Sequence, residues 1–128
     1  MNKIKHRILI VDDSMEQLDL LTEILIEKYE IISAFNGHQA LKLAEREPKP
    51  DLILLDIIIP APDGYEVCSI LKSNESTRHI PVIMITGLSR ENLKRGLPPG
   101  AAGYISKPYN VKQLNDMIAN HLTREVRI

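Results

Sequence analysis

Five short apolar runs punctuate the chain: RILIV (Arg7 to Val11), EIISAF (Glu30 to Phe35), DLILL (Asp51 to Leu55), PVIMIT (Pro81 to Thr86) and GYIS (Gly103 to Ser106). Between them, apolar positions recur at three- and four-residue steps, as at Met15, Leu18, Leu21 and Leu25, or at Ala40, Leu41 and Ala44. Tyr65, Cys68 and Leu71 repeat that spacing, and so do Val111, Leu114, Ile118 and Leu122. Continuous apolar runs suit strands covered on both faces, whereas the stepped pattern suits amphipathic helices. Turn signals separate the elements at Asn36-Gly37, Pro48 to Pro50, Pro60 to Gly64 and Pro98 to Gly100. The helix between the fourth and fifth runs is expected to be short, Ser89 to Arg95, because Pro98 and Pro99 follow closely and proline cannot continue a helix interior. A β-α unit repeated five times predicts a three-layer α/β/α domain around a five-stranded parallel sheet.

Composition narrows the function classes. With 128 residues the chain has the size of one domain, taken here as residues 1–128. A formal net charge of −1 offers no broad field for nucleic acid or an anionic membrane, so neither is expected as a direct partner. Cys68 is the only cysteine and can form no internal disulfide; its helical spacing places it in the core. No run approaches the roughly 20 apolar residues that span a bilayer, and the start, MNKIKHRILIVDD, does not read as a secretory signal. A soluble cytoplasmic protein is the expectation. His6, His38, His79 and His121 lack metal-ligand spacing, and no G-x-G-x-x-G or P-loop is present. Arg90, Lys94 and Arg95 read as a solvated basic helix face.

Candidate chemistry collects at one edge of the predicted sheet. In open parallel sheets, ligands bind outside the carboxyl ends of the strands. Asp12 and Asp13 follow the first strand, Asp56 the third, Thr86 ends the fourth, and Lys107-Pro108 follows the fifth. Singly, each has an ordinary explanation: Asp12 and Asp13, with Ser14, could cap a helix, Thr86 is a common strand residue, and Lys107 could be a solvated loop lysine. Asp56 is harder to dismiss, since a carboxylate at the end of an apolar strand loses water and persists only when paired or metal-bound. Three neighbouring carboxylates also need compensating charge. Mg²⁺, which prefers oxygen ligands, and the Lys107 ammonium would together balance them. Such a site suits phosphoryl transfer, with Asp56 as the nucleophile that forms an aspartyl phosphate.

In this order and spacing, ILIVDD (Ile8 to Asp13), DLILLDIIIP (Asp51 to Pro60), DGYEV (Asp63 to Val67), IPVIMIT (Ile80 to Thr86) and GYISKP (Gly103 to Pro108) resemble the receiver domains of two-component response regulators nearly end to end. The resemblance implies a flavodoxin-like (βα)5 fold with strand order 2-1-3-4-5. It implies that Asp56 is phosphorylated by a histidine kinase or a histidine phosphotransfer protein. Asp13, Asp56 and the backbone carbonyl of Ile58 would ligate Mg²⁺, with Asp12 acting directly or through water. Thr86 would hydrogen-bond the phosphoryl group and Lys107 would pair with it. Tyr104 corresponds to an aromatic residue that moves inward with the threonine. The Lys107-Pro108 peptide would be cis, a form almost confined to proline. The output surface would be the helices on either side of the fifth strand together with that strand, presented to a downstream effector protein or a fused output domain; a homodimer is compatible with it.

The chain also departs from the family pattern. Pro98 and Pro99 precede Gly100-Ala101 near the output surface, and Ile58, Ile59, Pro62 and Leu88 are unusual near the acids. Ordinary packing, with Ile59 and Pro60 covering the underside of the loop, is slightly favoured for these residues; the alternative is that Ile58 and Leu88 shield the phosphoryl group from water and lengthen the signal. The leading function is therefore a phosphoacceptor switch with at most slow self-catalysed phosphorylation and dephosphorylation, and not a conventional enzyme. The alternatives are a receiver-like docking module that no longer switches and a flavodoxin-like small-molecule binder. The domain could stand alone or be excised from a larger regulator or hybrid kinase.

Overall fold

The computed structural model describes residues 5–87 and 96–123. The expected helix Ser89 to Arg95, with Leu88 and the basic cluster Arg90, Lys94 and Arg95, lies outside them. Five strands form one parallel sheet: β1 (Arg7–Val11), β2 (Glu30–Ala34), β3 (Leu52–Asp56), β4 (Val82–Thr86) and β5 (Gly103–Ser106), in the order β2-β1-β3-β4-β5. β3 begins one residue later than the run DLILL and takes in Asp56 as its last residue, in register with Ile85 of β4. The Asp51 side chain is spent before the strand starts, accepting the Arg7 N–H at 2.8 Å.

Alternate residues of the strands feed two separate cores. Ile8, Ile10, Leu52, Leu54, Ile83, Ile85 and Ile105 face Leu18, Leu21 and Leu25 of α1 (Met15–Leu25) and Leu114, Ile118 and Leu122 of the last helix. Leu9, Val11, Ile53, Leu55, Val82 and Met84 face Ala40 and Ala44 of α2 (Gly37–Glu45) and Val67, Cys68 and Leu71 of α3 (Gly64–Ser73). The last helix among the described residues, α4, spans Val111–Thr123. Because both faces are covered, β3 and β4 are buried along their whole length, which accounts for their unbroken apolar runs. The fold is the flavodoxin-like α/β/α sandwich expected from the sequence.

The helices α1, α2 and α3 each begin at a side-chain cap close to the carboxyl edge of the sheet. Ser14 caps α1 by accepting the Gln17 N–H, and Asn36 caps α2 by accepting the Gln39 N–H. Asp63 and Glu66 form a reciprocal capping box on α3. The first residue of α3 must be glycine: a Cβ on Gly64 would lie 2.5 Å from Ile57 Cα and 2.6 Å from the Asp56 carbonyl oxygen. The helix therefore rests directly on the backbone that carries Asp56. Gly37 plays a comparable part at α2, where a Cβ would come within 2.5 Å of the Pro62 carbonyl oxygen.

Candidate phosphoacceptor site

The strand ends bring the predicted side chains together. Asp12 and Asp13 leave β1, Asp56 closes β3, Thr86 closes β4, and Lys107 follows β5, its N–H donating to the Thr86 carbonyl at 2.9 Å. Asp12, Asp13 and Asp56 each offer a carboxylate oxygen, all within 4.8 Å of one another. Asp12 and Asp56 are buried, at 2 % and 4 % exposure, while Asp13 is open to solvent. Thr86 is fully buried and Tyr104 is half-buried against the core on the α2–α3 side. The Lys107-Pro108 peptide is cis.

One cation holds the two buried acids. Lys107 Nζ donates to Asp12 Oδ2 and to Asp56 Oδ2, each at 2.9 Å. The other oxygen of each acid is held by the backbone: Asp12 Oδ1 accepts the Ser14 N–H at 2.9 Å, and Asp56 Oδ1 accepts the Ile58 N–H at 2.9 Å. Asp12 is thus not the helix cap; it forms the turn in front of it, and Ser14 caps α1.

Burial dominates the electrostatics of Asp56. Loss of water raises its pKa from 3.8 to about 6, aided by the Asp12 charge and opposed by the hydrogen bonds from Lys107 and the Ile58 N–H. For Lys107, burial works against the ammonium, but the hydrogen bonds and charges of Asp12 and Asp56 prevail and hold its pKa above the usual lysine value. The site therefore carries an excess of buried negative charge that a single ammonium does not fully relieve.

This donor set fits a hard divalent cation. Three carboxylates converge, and the exposed side at Asp13 leaves room for the waters that Mg²⁺ retains. Formal charges of −3 from the acids, +2 from the ion and +1 from Lys107 would sum to zero.

Around the acids, the apolar residues sort by chain position. Ile57 and Ile59 are buried in the core on the α2–α3 side, and Pro60 is exposed. The Ile58 side chain is 57 % exposed at the rim. Cys68 is buried, as its spacing indicates. Of the histidines, His6, His38 and His79 are exposed and His121 is half-buried on α4. A residue missed from the sequence is Tyr109, two positions beyond Lys107. Its ring packs on the α1–α4 side of the sheet, and its hydroxyl is buried without a hydrogen-bond partner among the described residues. Burial first, then the Asp12 and Asp56 charges, push its phenol above the ordinary tyrosine range.

Comparison with known proteins agrees with this geometry. Residues 8–119 match the model of the response regulator receiver domain. The chain is 42 % identical over 127 residues to histidine kinase P4 of Formosa agariphila, a match covering 98 % of this chain and 9 % of that protein. It is 40 % identical over 119 residues to the chemotaxis protein CheY of Halobacterium salinarum, covering 91 % of this chain and 97 % of that one. Among solved structures, the signal receiver domain of a signal transduction histidine kinase from Syntrophus aciditrophicus superposes with a TM-score of 0.87 at 36 % identity, covering 96 % of this chain and 94 % of that one. The chain thus corresponds to a small part of some relatives and to nearly the whole of others. Receiver domains pair with histidine kinases and serve as regulatory phosphoacceptors rather than as enzymes, and this chain, in sequence and in fold, belongs to the response regulator receiver domain family.

Proposed function

We propose that Asp56 is the phosphoryl acceptor of this domain and that Asp12, Asp13, Asp56 and the Ile58 carbonyl hold Mg²⁺ beside it. The observation that carries this reading is the shared ion pair: one ammonium, Lys107, spans two buried carboxylates beside a third at the mouth of the site.

In the transfer, a carboxylate oxygen of Asp56 forms a bond to phosphorus as the P–N bond of a donor phosphohistidine breaks, and the imidazole leaves with the electron pair. When bound, Mg²⁺ supplies positive charge to the oxygens of the transferring group. The protein does the positioning. The Ile58 N–H fixes one Asp56 oxygen, so that the other, now paired with Lys107, is the one that reacts. The new group has three acceptor oxygens and a charge of about −1.5 to −2, which draw Lys107 and the Thr86 hydroxyl toward it. Tyr104 follows into the space beside Thr86, and the surface around β5 and α4 changes for a downstream effector protein or a fused output domain. A donor kinase or histidine phosphotransfer protein approaches at the Asp13 and Ile58 rim, where the site is open.

The test is incubation with Mg²⁺ and acetyl phosphate, followed by intact mass measurement. The expected result is a gain of one phosphoryl group that is lost in Asp56→Asn. Uptake that persists in Asp56→Asn refutes the assignment, and no uptake together with no beryllofluoride binding returns the chain to the docking-module reading.

A further inference from the structure

The Tyr109 hydroxyl is a buried hydrogen-bond donor with no partner among the described residues. Leaving such a group unpaired costs about 1–3 kcal/mol, so its retention in a packed site calls for a reason. Phenylalanine would fill the same space without that cost.

A reason appears in the hydrogen bonds of Asp12. This carboxylate is 2 % exposed, and its Oδ2 depends on Lys107 Nζ at 2.9 Å. The same ammonium serves Asp56 Oδ2 at 2.9 Å. If phosphoryl oxygens on Asp56 draw Lys107 away, Asp12 keeps the Ser14 N–H on Oδ1 but loses its donor on Oδ2. A divalent ion would satisfy one lone pair of the carboxylate and leave others, since an ionised carboxylate accepts at about four sites. Tyr109 stands two residues after Lys107, which is bonded to Asp12, and its ring packs against the apolar cluster of Ile8, Ile10 and Leu18, built from the strand that ends at Asp12 and the helix that follows it; the Asp12 and Asp56 charges both act on its phenol. A hydroxyl on a fixed ring can turn its hydrogen to suit a new acceptor.

We propose that Tyr109 is a positioning residue whose hydroxyl takes over as donor to the Asp12 carboxylate when Lys107 turns to a phosphoryl group on Asp56. The device makes Lys107 easier to release, because the acid it leaves is not stranded. This inference rests on Asp56 being the phosphoryl acceptor.

The experiment compares Tyr109→Phe with wild type in two measurements: the melting temperature of the metal-free protein, and the affinity for beryllofluoride in saturating Mg²⁺ by calorimetry. The metal-free variant should melt no lower than wild type, since it loses only an unpaired hydroxyl, whereas its beryllofluoride affinity should fall about tenfold, the scale of one hydrogen bond to a charged group. Affinity within twofold of wild type overturns the proposal, as does a lowered melting temperature that accounts for the whole effect. Wild-type protein that binds no beryllofluoride, or binds it equally well as Asp56→Asn, overturns the phosphoacceptor reading and this inference together. Wild-type binding that requires Asp56 but not the Tyr109 hydroxyl overturns this inference alone.

Discussion

Lys107 and Asp56, 51 residues apart in the chain, meet as an ion pair with 2.9 Å between Nζ and Oδ2. The ammonium does not serve Asp56 alone, and removing it uncovers two buried acids. Lys107→Met should therefore be destabilised at neutral pH, by roughly 3 kcal/mol, the usual cost of stranding a buried charge. It should also bind Mg²⁺ more tightly than wild type, since ion and ammonium compensate the same carboxylates. Urea unfolding with and without Mg²⁺ reads both effects. Weaker Mg²⁺ binding in the variant would contradict this account.

Asp56 itself is held at an energetic cost. Its pKa lies near 6 in the fold against 3.8 ordinarily, so between those values the folded protein binds a proton that the unfolded chain releases. Stability should fall as pH rises through that window and level off above it. Asp56→Asn should remove this slope and unfold later in urea at about pH 7.5, by roughly 1–3 kcal/mol. A variant less stable than wild type at that pH would show that the Lys107 pair outweighs the burial cost.

The same proton competes with the metal. Below about pH 6, Mg²⁺ affinity should fall close to tenfold per pH unit as Asp56 takes up one proton, and above that it should be nearly flat. Calorimetric titrations at about pH 5, 6 and 7.5 measure it. Affinity unchanged across that range would place the ion away from Asp56.

Gly64 should tolerate no side chain. An alanine Cβ would fall 2.5 Å from Ile57 Cα and 2.6 Å from the Asp56 carbonyl, both backbone atoms that cannot swing aside. Gly64→Ala should lose about 1–3 kcal/mol of stability and bind Mg²⁺ severalfold more weakly, because the loop bearing the Ile58 carbonyl must shift. Retained affinity with lowered stability would show that the strain is absorbed in α3 instead.

Ile58→Asn tests the shielding idea. With 57 % of Ile58 exposed, the exchange should leave stability within about 0.5 kcal/mol of wild type, so the dephosphorylation half-life reports on water access. A shorter half-life is expected in the variant. Equal half-lives would mean that the side chain only packs.

Much of this architecture was legible in the sequence for one physical reason. Strands covered on both faces leave unbroken apolar runs, and such a sheet sends its functional residues to the strand ends, where Asp12, Asp13, Asp56, Thr86 and Lys107 could be read off directly. Other features depend on distances between segments that no local pattern encodes. The contact of Gly37 with Pro62 is one. The tie between the Tyr65 hydroxyl and the Gly96 carbonyl, which secures the proline loop to α3, is another. Tyr109 carries no local signal, since an aromatic residue after Lys107-Pro108 reads as packing and only the fold shows its hydroxyl buried without a partner among the described residues. Pro98 and Pro99 read in sequence as a helix stop; in the fold the Pro99 carbonyl lies over Cys68 and Gly100 sits against the Lys72 stem.

The backbone bond from the Lys107 N–H to the Thr86 carbonyl makes the ammonium and the hydroxyl two arms of one clasp. The Lys107 N–H lies in the peptide plane shared with Ser106 and the Thr86 carbonyl in the plane shared with Gly87, so a shift of either backbone is felt by the other through the one bond they share. Under the proposed function, a phosphoryl group seated on Asp56 would engage both arms together, whereas an anion at the mouth of the site would meet Lys107 without the buried Thr86.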